Sequence, residues 1–187
     1  MKKIFIILLA LICASGLAFA ADTGNQSLFA PGNITAQVNL GSGFLWGLDI
    51  SGGAEYGLGS FKITDSIPLT YGAAARVGYS SWNLAGYSGY TYSDFAIGAL
   101  GTVHLSWKHV LPDLKWIAKV ESYVGLGLGV NFHNETWDTS TNGPRFAFSV
   151  IEGNNWYITP KIAINLEGGY FGYGYSGYGR IGVLYKF

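Results

Sequence analysis

Trp46-Gly47-Leu48-Asp49-Ile50-Ser51-Gly52-Gly53-Ala54-Glu55-Tyr56-Gly57-Leu58 alternates with a period of two. The even positions from Trp46 through Tyr56 to Leu58 are oily or small, while the odd ones carry Asp49, Ser51, Glu55 and glycine. Successive side chains of a strand point to opposite faces, so this segment is a strand with one oily face and one polar or bare face. Seven further segments read the same way: Ile34–Leu40, Leu69–Tyr79, Asp94–Trp107, Trp116–Val130, Phe146–Val150, Lys161–Tyr170 and Arg180–Phe187. Eight strands over residues 21–187 leave about 21 residues per strand with its connection, which suits spans of about ten residues joined by short turns.

Composition decides which face meets what. Of 187 residues, 49% are hydrophobic, only 12% are charged and 28 are Gly, against about 25% charged and about 7% Gly in ordinary soluble domains. The polar face is too small and too rich in Gly to serve as a water-facing exterior. The oily face therefore meets lipid, and the expected fold is all-β, an eight-stranded antiparallel up-and-down transmembrane β-barrel whose interior is just filled by side chains. Aromatic residues agree, because on the oily face they mark strand ends: Trp46 and Tyr56, Tyr71 and Tyr79, Phe95 and Trp107. Trp and Tyr favour the two membrane interfaces. Disorder is excluded by the many aromatics, and the balance of 11 basic and 11 acidic residues excludes a nucleic-acid partner.

Lys2 and Lys3, the apolar run Ile4–Ile12 and the small-x-small stretch Ala18-Phe19-Ala20 read as a secretory signal peptide over residues 1–20, leaving 21–187 as one barrel domain. A lipoprotein site at Cys13 fits less well, since bulky Ile12 stands before it. Cleavage after Ala20 removes Cys13, the only cysteine, and with it thiol catalysis, thiolate-bound metal and disulfides.

The interior face collects the charges Asp49, Glu55, Arg76, Asp94, Lys119, Glu121, Lys161, Glu167 and Arg180. Charges in a narrow lumen are costly unless paired, so a closed, salt-bridged plug is expected. A hairpin centred between residues 62 and 63 sets Asp49 opposite Arg76 with Asp94 diagonal to them, and one centred between 173 and 174 sets Glu167 opposite Arg180. No cofactor is implied. Gly125, Gly127 and Gly129 lie within a strand and do not form a phosphate loop. Asn33-Ile34-Thr35 and Asn134-Glu135-Thr136 match glycosylation sequons. His133, Glu135 and Asp138 lack a further His or Cys to complete a metal site.

The final residues Arg180-Ile181-Gly182-Val183-Leu184-Tyr185-Lys186-Phe187 look like the terminal assembly signal of outer-membrane barrels, with Gly182, Tyr185 and Phe187 at its marked positions. Together with the eight strands, they make the chain resemble the small outer-membrane barrels of the OmpA-domain and OmpX type along nearly its whole length. That resemblance implies a Gram-negative bacterial outer membrane, partners in its lipid and lipopolysaccharide-type glycolipid, and insertion by the barrel-assembly machinery. It implies no activity. The outer loops are then about Gly41–Leu45, Ser80–Tyr92, His133–Gly143 and Gly172–Gly177, with periplasmic turns near Gly59–Ser66, Lys108–Asp113 and Gly153–Trp156. Trp82, Tyr87, Tyr90, Tyr92 and Trp137 make the two longest outer loops candidate contact surfaces for a host or surface ligand.

One catalytic alternative stands beside this non-enzymatic reading. His104 and Ser106 fall on one face, a base beside a nucleophile, and resemble the His-x-Ser pair of the lipid A deacylase barrels called PagL. Against it, Trp107 follows the Ser, and the pair points into the lumen near the periplasmic end, away from the outer leaflet. A narrow carrier for small solutes is a further alternative, suggested by the many lumenal Gly.

Overall fold

The computed structural model describes residues 27–41, 47–83, 89, 91–136, 140, 142–171 and 178–187; the expected signal peptide, Trp46, Tyr87, Tyr90, Trp137 and Asp138 lie outside them. Eight strands form: β1 Ile34–Gly41, β2 Gly47–Thr64, β3 Ile67–Asn83, β4 Thr91–Ser106, β5 Val120–Glu135, β6 Gly143–Tyr157, β7 Ile162–Phe171 and β8 Tyr178–Lys186. Each pairs antiparallel with its neighbour and β8 closes on β1, Val38 facing Gly52 on one side and Val183 on the other. Closure leaves no free edge, which is what a sheet within hydrocarbon requires.

Period-two alternation turns this ring inside out relative to a soluble protein. Polar side chains fill the interior: Gln37, Asn39, Asp49, Glu55, Arg76, His104, Glu121, Asn155, Asn165, Glu167 and Arg180 are all buried. Large apolar ones cover the outside, among them Leu48, Tyr71, Val77, Ile97, Leu126, Phe148, Leu166 and Val183. An apolar surface wrapped around the whole barrel is stable only against lipid, so the chain is a transmembrane β-barrel. Trp116 and Trp156, 64% and 52% exposed, stand near the rim that carries the short turns, as interfacial Trp does.

Four expectations change. The hairpin after β2 turns at Asp65-Ser66, and the register shifts at Gly57/Gly59 and Lys62/Thr64. Each shift offsets the pairing by a residue, so Asp49 faces Ser80 and Arg76 faces Gly53 instead of each other. Second, Trp107 and Trp116–Lys119 are not strand. Trp107–His109 and Ile117–Lys119 are single 3-10 turns linking β4 to β5, around Pro112, which has no amide to offer a ladder. Lys119 is consequently exposed outside the lumen.

Third, β6 runs on to Tyr157, so Gly153–Trp156 is strand and the turn lies at Ile158–Lys161. Glu152 and Asn154 occupy outward positions there and interrupt the oily pattern. Lys161 sits half-buried in that turn, its carbonyl accepting the Lys186 amide, and it is not a lumenal charge. Fourth, the strands at the opposite rim extend further than the alternation suggests, so Ser80–Asn83, Tyr92 and His133–Glu135 belong to the wall.

Candidate functional site

The lumen is where the polar side chains converge, and its centre is one connected network. From β3, the Arg76 guanidinium lies 3.6 Å from Glu55 of β2 and 3.7 Å from Glu167 of β7. It also donates to Gln37 of β1 at 3.1 Å, and the Gln37 amide donates in turn to Glu167 at 3.0 Å. Tyr123 adds its hydroxyl to Glu167 at 2.8 Å. Asn165 donates to Tyr123 at 3.0 Å and to Asn155 at 2.7 Å, and Asn155 donates to Glu121 at 3.1 Å. Side chains from six strands thus meet across a passage that the network fills.

His104 ties the network together near the rim of short turns. Its Nε2 lies 2.7 Å from Glu55 and its Nδ1 lies 3.0 Å from Glu121, while Thr102 donates to the same Glu55 oxygen. The imidazole stacks on Tyr123 at 5.4 Å and meets the Phe29 ring at 4.3 Å. Phe29 belongs to a segment without periodicity that folds into the mouth. The Leu28 amide donates to Ser106 Oγ at 2.7 Å, and its carbonyl accepts Lys186 Nζ at 2.9 Å. The Gly32 amide donates to the Gly57 carbonyl at 2.8 Å. Phe29 is 1% exposed, so this rim is sealed by a ring above the His104 cluster. Gly57 must be glycine here, because a Cβ would stand 2.4 Å from the Ala30 carbonyl. At the edge of the seal, burial and then the neighbouring Lys108 hold the His109 imidazole below its ordinary range.

Farther along the lumen, Arg180 grips Asp49 through Nε at 3.1 Å and a terminal nitrogen at 3.0 Å. Glu167 does stand opposite Arg180 in the β7–β8 register, but the ion pairs exchange partners: Asp49 with Arg180, Glu167 with Arg76. Side chains reach across a narrow lumen as easily as along the sheet, and strand register alone does not choose between them. Asp94 joins a separate cluster at the far rim, accepting from Tyr92, from Asn131 at 2.8 Å and facing His133 Nδ1 at 3.0 Å. Glu135 is 3.7 Å from His133 Nε2. No group of three His, Cys, Asp or Glu suited to a metal occurs among the described residues.

The pair His104 and Ser106 faces the lumen, with both ring nitrogens turned to carboxylates and Ser106 Oγ holding the Leu28 amide. Glu121 lies 3.0 Å from His104 Nδ1, as an orienting carboxylate would. Neither ring nitrogen, however, is turned to Ser106. Of the candidate loop contacts, Trp82 and Tyr92 are paired across β3 and β4. Gly182 is required by packing, since a Cβ there would meet Asn39 and the Val38 carbonyl, and Tyr185 and Phe187 pack edge to face at 5.0 Å. Alternation alone puts Gln37 and Asn165 on the polar face, whereas Asn155 falls in an expected turn and Phe29 carries no sequence signal.

No family model and no curated protein matches the chain. Among solved structures it is similar to a de novo designed transmembrane β-barrel, with 20% identity and a TM-score of 0.45 over 84% of this chain and 97% of that one. It is also similar to the attachment invasion locus protein Ail of Yersinia pestis, with 10% identity and a TM-score of 0.48 over 84% and 99%. The outer membrane enzyme PagL shows 11% identity and a TM-score of 0.45 over 83% and 98%. The chain's own closed strand pairing is what establishes the fold.

Proposed function

We propose that the protein is an integral barrel of a bacterial outer membrane that is closed to solutes, contributing to membrane structure and, through its outer loops, to surface contacts. The observation that carries this reading is the double closure of the lumen: the Arg76–Glu55–Glu167 network bridges it and Phe29 seals one mouth. With the chain termini and short turns periplasmic, the hairpins after β1, β3, β5 and β7 face outward. Outer-membrane lipid and lipopolysaccharide-type glycolipid surround the wall, the barrel-assembly machinery reads Tyr185 and Phe187 during biogenesis, and residues 1–20 direct export. A host or surface ligand is the partner assigned to the loops around Trp82, Tyr87, Tyr90, Tyr92 and Trp137.

Reconstitution of protein purified from outer membranes into liposomes tests the closed state. Heat-modifiable gel migration with no solute-dependent swelling is expected; steady swelling would replace this reading with transport. Trimming residues 84–90 or 137–142 should reduce adherence of producing cells to epithelial layers while leaving migration on the gel unchanged. The deacylase alternative is favoured by the His104–Glu121 contact alone. Ser106→Ala is expected to leave lipid A acylation in producing cells unchanged, and a gain of acyl chains in that variant would establish the enzyme.

A further inference from the structure

After residue 20 the lysines of the chain are Lys62, Lys108, Lys115, Lys119, Lys161 and Lys186, and the fold carries all of them to one rim, that of the chain termini and short turns. Asp65, Asp113 and the terminal carboxylate are the acids beside them. The opposite rim has no lysine, and its loops over 42–46, 84–90, 136–142 and 172–177 bring a single charge, the acidic Asp138. Cations gathered at one end of a membrane wall are drawn to the anionic head groups of the leaflet that surrounds that end.

Residues 107–119, the link between β4 and β5, carry three of these lysines. The Leu111 amide donates to the Trp107 carbonyl at 2.8 Å and the Ala118 amide to the Leu114 carbonyl at 2.9 Å, so the link folds as two helical turns. Trp107 Nε1 donates to Ser122 Oγ at 2.7 Å, which fastens the first turn to the outer wall. Leu111, Leu114 and Trp116 are nevertheless 38%, 45% and 64% exposed. Apolar side chains continuous with a wall that stands in lipid are covered by the same lipid, at the acyl boundary where Trp is favoured.

Lys115 and Lys119 are exposed on the second turn, four residues apart, the spacing that sets two side chains on one side of a helical turn. Among the described residues neither is ion-paired with a carboxylate. Like charges at that spacing repel, and an anion between them removes the penalty. Lysine stems lie along apolar surface while the ammonium reaches the head-group layer, which is where a lipid phosphate stands. We infer that this rim selects acidic phospholipid: residues 107–119 lie as a strap in the head-group layer, Leu111, Leu114 and Trp116 reach the acyl boundary, and Lys115 and Lys119 hold the phosphate of a phosphatidylglycerol-type lipid. This rests on the proposed reading of the chain as an outer-membrane barrel with this rim in the periplasmic leaflet.

The test reconstitutes protein purified from outer membranes into phosphatidylcholine vesicles and titrates in brominated phosphatidylglycerol or brominated phosphatidylcholine, reading the quenching of tryptophan fluorescence. The unaltered chain is compared with one carrying Trp46→Phe, Trp82→Phe and Trp137→Phe, in which Trp107, Trp116 and Trp156 report on this rim. Phosphatidylglycerol is expected to associate about tenfold more strongly than phosphatidylcholine, the preference falling about fivefold with Lys115→Gln or Lys119→Gln and in about 1 M salt, where charges are screened beyond about 3 Å. Arg145→Gln at the opposite rim should leave it unchanged. Equal association of the two lipids, or a preference that survives Lys115→Gln with Lys119→Gln, overturns the inference. So does a lysine-dependent preference for lipopolysaccharide over phosphatidylglycerol, which would put this rim in the other leaflet. Heat-modifiable migration of every variant reports separately on the barrel, and its loss in the unaltered chain together with quenching by neither lipid would overturn the membrane reading and this inference together.

Discussion

At the scale of single residues, lumenal charge works through few partners, and removing one has a calculable consequence. Arg76 is the cation shared by Glu55 and Glu167, so Arg76→Met leaves two buried carboxylates without it. Breaking a buried ion pair from one side costs about 3–5 kcal/mol, and urea unfolding of the barrel in lipid bilayers, read by tryptophan fluorescence, should show a loss of that size. An unchanged midpoint would mean that His104 and Gln37 suffice. That a polar residue faces the lumen was legible at Asp49, Glu55, Arg76 and Glu167 from parity. Which charge grips which was not, because Arg76 and Arg180 are long enough to select among several carboxylates around the ring.

Elements differ in how openly they announce themselves. β2 and residues 67–79 of β3 alternate without polar interruptions on the outer face and are plain in the sequence, whereas β6 is obscured after Val150 because Glu152 and Asn154 take outward positions. The segment from Ser27 to Asn33 has no period at all, yet it closes a mouth of the barrel through Leu28, Phe29 and Gly32. Its seating depends on Gly57, where Gly57→Val would drive side-chain carbons into the Ala30 carbonyl. This variant should keep its heat-modifiable barrel and lose the seal, exposing residues 27–33 to proteinase K. Protection equal to the parent's would show that the segment docks without Gly57. Phe29→Ala should raise cleavage in the same assay, since it removes the ring that covers His104.

For the whole molecule, the closed ring and its apolar exterior predict that folding and insertion are one event. A charge placed on the lipid face should therefore act on the entire barrel: Leu126→Arg, near the middle of β5, should cost about 2–4 kcal/mol in bilayer unfolding, while the lumenal Ser149→Ala should change it little. Equal effects at the two positions would contradict the assigned faces. The alternation, the scarcity of charge and the placement of Trp and Tyr determined by themselves that this chain is an eight-stranded membrane barrel, because side-chain direction in a strand depends only on parity. The tertiary structure alone decided the exchange of ion pairs and the sealing by Phe29. Each of these depends on distances between strands far apart in the chain, and those distances are set by two register shifts in β2 and by closure of β8 on β1.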